Sequence, residues 1–197
     1  MDELANFKVT TLKNFYEIRL KDVMKLKLEK GDPVSIFIQS IIKMKTEVNY
    51  DFEEKRCKKA GIEFDPKKVK LGKIQPSAFL FILAIKEFAR RFSEGRSQDL
   101  YKYIETKLLE RKDELFYFKI NVLVEENDYQ KINDILDALC VKFYQTMIYA
   151  MHEFFNINKQ VLIIEPIKDG YRFEFRAANL LELQNIQNGK MNVNLKK

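Results

Sequence analysis

Apolar positions along the chain fall into blocks whose spacing switches between a helical and a strand-like period. In residues 11 to 30, Leu12, Phe15, Tyr16, Ile18, Leu20, Val23, Met24, Leu26 and Leu28 recur. The first part of that block predicts a helix, while its tail, KLKLEKG, alternates as a strand does, and Gly31 closes it. Asp32-Pro33 is a helix start, with Asp as N-cap and Pro at the first helical position. Val34, Ile36, Phe37, Ile38, Ile41, Ile42 and Met44 follow on most sides of that helix, which predicts deep burial or a shared interface.

The pattern then breaks. Lys55, Arg56, Lys58, Lys59, Lys67, Lys68, Lys70 and Lys73 stand against only Glu63 and Asp65, and Gly61, Pro66 and Gly72 interrupt any regular period. Residues 55–75 therefore read as a basic loop or broken helix. A further helix opens at Pro76-Ser77 and runs through Phe79, Leu80, Phe81, Ile82, Leu83, Ile85, Phe88 and Phe92 to Gly95, as the central core helix. Arg90, Arg91 and Arg96 gather at its carboxyl end, where cations complement the helix dipole. Ser97 is the expected cap of an amphipathic helix bearing Leu100, Tyr103, Ile104 and Leu108.

From Leu115 the residues LFYFKINVLVEEN are aromatic and β-branched, which predicts a buried strand. Asp128 then starts a long helix carrying Ile132, Ile135, Leu136, Leu139, Phe143, Met147, Met151 and Phe154, ending near Asn156. VLIIEPI, the turn Lys168-Asp169-Gly170 and YRFEFRA form a hairpin signal. Tyr171, Phe173 and Phe175 share one face of it, and Arg172, Glu174 and Arg176 the other. A short helix, NLLELQNI, precedes a polar tail. Together the blocks predict an α+β fold: several helices packed on one face of a small antiparallel sheet, made of the C-terminal β-hairpin plus one more strand. Residues 1–185 form a single domain and 186–197 the polar tail.

Composition adjusts this picture modestly. The 197 residues carry 35 Lys+Arg against 29 Asp+Glu, a formal charge of +6. Only eight of those cations are Arg, the residue that makes bidentate phosphate and base contacts. No apolar run approaches the ~20 residues needed to span a bilayer, and the amino terminus lacks the apolar stretch of a signal peptide. A cytoplasmic protein is the expectation.

The candidate chemistry is sparse. One histidine, His152, cannot build a two-histidine metal site, and it reads as a helix-end residue near the dipole. The six glycines are isolated, which excludes a Walker A loop and a dinucleotide fingerprint. No catalytic residue, metal site or cofactor is expected. Cys140 sits in an apolar stripe, whereas Cys57, within KRCKK, is a candidate for modification because neighbouring cations favour a thiolate.

From Asp137 to Ala177, the helix ALCVKFYQTMIYAMHEFF leads directly into the paired strands QVLIIEPIKDGYRFEFRA. That stretch resembles the carboxyl-terminal part of the transport protein particle (TRAPP) small subunits and the related vinyl-reductase-like ligand-binding domains. The resemblance implies an assembly subunit that pairs through long apolar helices, or a domain enclosing an apolar ligand. It carries over no site residue.

The functional expectation is a non-enzymatic interaction or assembly subunit that dimerises or docks through apolar helices. Its candidate contacts to an anionic partner are Lys55, Arg56, Lys58, Lys59, Lys67, Lys68, Lys70, Arg90, Arg91 and Arg96. A protein partner or homodimer, a membrane surface and nucleic acid all remain open as partners. The alternative is a nucleic-acid-binding accessory protein that sets these clusters on phosphates, and a solvated loop is the simplest account of the 55–75 charges.

Overall fold

The computed structural model describes residues 15–25, 29–69, 76–116 and 129–195. Their elements in chain order are β1 (Phe15–Arg19), the one-turn α1 (Leu20–Val23), α2 (Pro33–Ala60), a 3-10 turn (Pro66–Lys68) and α3 (Pro76–Ser93). Then come α4 (Leu100–Glu110), the one-turn α5 (Lys112–Leu115), α6 (Tyr129–Ile157), β2 (Gln160–Ile167), β3 (Gly170–Ala177), α7 (Leu180–Gln187) and β4 (Asn194–Leu195). The fold is α+β, and it is mainly helical.

Local chemistry sets several of the boundaries. Asp32 Oδ2 accepts the Ser35 amide at 2.9 Å with Pro33 behind it, so α2 begins where its cap requires. It ends at Gly61, whose φ of +66° is a left-handed closure that favours glycine. Ser97 does not cap α4; Asp99 does, because its carboxylate accepts the Lys102 amide at 3.0 Å. Asn179 and Glu182 complete a reciprocal capping box at the start of α7.

The sheet order is β1-β3-β2-β4, with β1, β3 and β2 antiparallel and the two residues of β4 parallel to β2. The hairpin forms as its turn predicts. Residues 15–19 are a strand, against the helical expectation for the start of that block. Tyr16 lies opposite Phe173 and Ile18 opposite Tyr171, so a period of two places both on the face that packs against helices. The open edge of β3 outweighs the helical spacing of the wider block. Of LFYFKINVLVEEN, Leu115 closes α5 and Phe116 packs edge-on to Phe37 at 6.2 Å; the remainder of that expected strand lies outside the described residues.

α3 is the centre of the core, as its all-round apolar pattern predicts. Ile82, Ala84, Ile85, Phe88 and Ala89 are fully buried, and Phe88 stacks on Phe173 of β3 with centroids 4.4 Å apart. Phe92 meets Phe155 of α6 and Phe175 of β3 edge-on. Truncating one such ring costs about 3–5 kcal/mol.

α2 and α6 run antiparallel along the other side. Phe37 stacks on Phe143 at 3.8 Å, the buried Lys45 bonds Asp137 at 2.6 Å, and Tyr129 reaches Asp51. On the opposite face of the sheet Val161 is buried, and Arg176 grips Glu182 of α7 through two bonds of 2.8 and 2.9 Å. The polar residues after α7 fold back: the buried Asn192 donates its backbone N–H and its side-chain amide to Asn156 Oδ1, each at 3.1 Å.

Candidate functional site

Helix α2 is buried over its first half only, and Val48 is its last buried residue. Residues 49–60, about 18 Å of helix at 1.5 Å per residue, carry the basic run beyond the core alongside the first turn of α6. The expected basic loop therefore divides. Lys55 to Ala60 are helical, Gly61 to Val69 form a loop around the 3-10 turn, and residues 70–75, with Lys70 and Lys73, lie outside the described residues.

Phe52, Lys55, Arg56 and Lys59 recur at helical spacing and share one face of α2. With Lys58 and Tyr129 they wall a recess of about 460 Å³. Its rear is well ordered by hydrogen bonds. The Tyr129 hydroxyl donates to Asp51 Oδ2 at 2.6 Å, and Lys55 Nζ donates to the same oxygen at 2.9 Å. These two donors hold the Asp51 carboxyl below its ordinary range, while burial and Asp51 push the Tyr129 phenol up. Phe52 meets Tyr129 edge-on at 4.8 Å, and Lys55 Nζ lies 5.7 Å from the Tyr129 ring centroid.

The four cations of the recess are not equivalent. Arg56 is held by Glu53 through bonds of 3.0 and 2.8 Å, and Lys55 is tied to Asp51 and Tyr129. Lys58 and Lys59 are exposed and make no ion pair with a described residue. Phe52 is 43% exposed, so an aromatic surface opens beside these two charges.

The other expected cations are elsewhere. Lys67 and Lys68 lie in the 3-10 turn capped by Asp65, with Lys68 3.8 Å from that carboxylate. Arg90 and Arg91 both bind Glu87, which is buried; burial opposes its charge, but the two guanidiniums overcome that and hold its carboxyl low. Arg96 stacks over Phe92 at 4.2 Å. This arginine group sits at the start of α2, because Lys86, one turn before Arg90, bonds Asp32 at 2.9 Å. The 23 residues from Asp32 to Lys55 put the two clusters about 35 Å apart along the helix. The ten cations therefore do not form one surface. Those at the carboxyl end of α2 meet an open recess, and Arg90 and Arg91 are paired with the buried Glu87 while their side chains stay partly exposed.

Cys57 is half-buried and lies outside the recess lining. Cys140 is buried, and burial pushes its thiol up to about 11, so it is an unreactive core residue. His152 is not exposed at the helix end: its side chain is fully buried, both ring nitrogens lack a hydrogen-bond partner, and burial pushes it down to about 4. Among the described residues no group of His, Cys, Asp and Glu is arranged to hold a metal ion, and no helix is long and apolar enough to cross a membrane.

Two recess residues escaped the sequence reading. Phe52 was legible in principle, since it precedes Lys55, Arg56 and Lys59 at three-, four- and seven-residue spacing. Tyr129 was not, because only the antiparallel packing of α2 on α6 brings it there. No family model, curated protein or solved structure matches the chain.

Proposed function

We propose that the protein is a non-enzymatic binding subunit that docks an anionic partner on the basic end of α2. The observation that carries this reading is the recess itself. Four cations from residues 55–59 surround it, and two of them, Lys58 and Lys59, have no carboxylate bound to them among the described residues. Unpaired cations on a protruding helix attract and orient a polyanion at long range, and they do so most strongly at low salt.

The test is charge reversal. Lys58→Glu with Lys59→Glu is expected to weaken binding to a heparin column by roughly an order of magnitude at low ionic strength, since each phosphate-like contact adds salt-sensitive affinity. Thermal stability should fall only slightly, since both side chains are exposed and the cost is that of acidic charges in the last turn of α2. Lys58→Gln with Lys59→Gln separates that cost from the loss of binding. Elution at the same salt as the wild type would refute the proposal.

A second reading, assembly with another protein or a second copy, draws on the outer side of α6. Val141 and Tyr149 are exposed there, beside a groove of about 510 Å³ that α6 forms with α4. On α3, Leu80, Phe81 and Leu83 are partly exposed, while Ile82, Ile85, Phe88 and Phe92 are spent in the core. Light scattering of the wild type and of Tyr149→Glu tests this reading, which requires a dimer that the substitution dissociates.

A further inference from the structure

We infer that the recess at the end of α2 takes single-stranded nucleic acid, with an unpaired base on the face of Phe52 and the adjoining phosphates on Lys58 and Lys59. This rests on the anion-docking reading above and narrows it to one class of partner.

Three features favour that class. The cations surround a concavity rather than a flat face, and about 460 Å³ lies within the usual size of a site for a drug-sized ligand. An exposed aromatic ring stands inside the basic rim. Phe52 is 43% exposed, and its edge-on neighbour Tyr129 is fixed by its hydroxyl bond to Asp51, so the platform is held before any ligand arrives. An anionic bilayer or an acidic peptide would satisfy the lysines and offer the ring apolar contact, but neither need supply a planar group to stack on it. A nucleic-acid base supplies the missing partner, since every base has a π-face to stack.

The same geometry limits what is read. A base within a duplex is already stacked, so the recess requires an unpaired one. Arg56, the only guanidinium in the lining, spends its Nε proton and one Nη2 proton on Glu53, so its charge is offset and, among the described residues, Lys58 and Lys59 are the unpaired cations of the recess. Lys58 and Lys59 act as point charges on phosphates. Binding is therefore tolerant of sequence and strongly dependent on salt.

Fluorescence anisotropy with a labelled oligothymidylate of about 12 nucleotides, a length within known single-strand site sizes, tests the inference. The comparison ligands are an abasic strand of equal length, a duplex, and vesicles of phosphatidylserine in phosphatidylcholine. The oligothymidylate is expected to bind more tightly than the abasic strand and the duplex. Phe52→Ala should weaken its binding about 10-fold, in line with the loss of one stacked base. Phe52→Leu, which keeps apolar volume but removes the π-face, should behave similarly, and it stands in if the alanine variant is unstable. Lys58→Gln should lower the slope of log affinity against log salt by about 0.7.

Equal affinity for the thymidylate and abasic strands, or unchanged binding by both Phe52 variants, overturns this inference and leaves the anion-docking reading standing. Binding to the vesicles without binding to the oligothymidylate does the same and assigns the surface to a membrane. Failure to bind any of these polyanions overturns both readings.

Discussion

Replacing His152 by leucine should stabilise the protein in neutral buffer and remove much of its sensitivity to mild acid. The imidazole is fully buried in α6, and neither Nδ1 nor Nε2 has a hydrogen-bond partner. A buried polar group left unpaired costs about 1–3 kcal/mol. Leucine, apolar and of similar bulk, removes that cost.

The pH dependence follows from the direction of the shift. Burial lowers the folded-state pKa from 6.5 to about 4. As pH falls below 6.5, the unfolded chain takes up a proton that the folded chain refuses until about pH 4. Stability present above pH 6.5 is therefore lost on acidification. Between pH 7.5 and 4.5 the loss from this one group is about 2.5 kcal/mol. Asp51 and Glu87, whose folded-state pKa values are also depressed, lose their contributions in acid as well. Both proteins share those losses, so they cancel in the comparison.

Urea unfolding of the wild type and of His152→Leu at the two pH values measures the difference directly. The wild type should lose about 2.5 kcal/mol more than the variant across that interval. Parallel losses would refute the reasoning, since they would mean that the folded protein protonates His152 as readily as the unfolded chain does.

Two further substitutions test the packing that supports the recess. Asp137→Ala should destabilise by about 2 kcal/mol or more by leaving the buried Lys45 ammonium unpaired, and adding Lys45→Met should recover most of it; chemical denaturation of the single and double variants checks both. Gly170→Ala would place a Cβ 2.2 Å from the backbone oxygen of Ile18, so β1 must shift away from β3. Hydrogen exchange should accelerate at the amides of Phe15–Arg19, and unchanged protection there would contradict the register.

The elements most legible in the sequence are those where local chemistry and tertiary packing agree. Asp32-Pro33 and Gly61 bound α2 by capping alone, and the hairpin forms around Lys168 and Asp169, the latter at a φ of +59°, with Gly170 opening β3. The AFLFILAI run identifies the core helix because a helix apolar on every side has to be enclosed. Strand β1 was illegible for the opposite reason. Its five residues are committed by the free edge of β3, more than 150 positions later, and their own spacing favours a helix. Tertiary pairing outweighs propensity there.

The candidate site was half visible. The charge run at 55–59 stands out by composition, but its division from Arg90 and Arg91 depends on geometry. Those arginines look available in sequence, and only the fold shows Glu87 buried between them. The recess is a product of two helices distant in the chain: Phe52 and its cations come from α2, and Tyr129 from α6. Likewise His152 reads as a helix-end residue until packing shows its ring enclosed, with no side chain or backbone group hydrogen-bonded to it.

Lysine acetylation mapped by mass spectrometry, with and without oligothymidylate, tests the central claim most directly. The account predicts that Lys58 and Lys59 become protected while exposed lysines remote from the recess, such as Lys102 and Lys112, react as before. Protection spread evenly over the surface lysines, or focused away from residues 55–59, would contradict it.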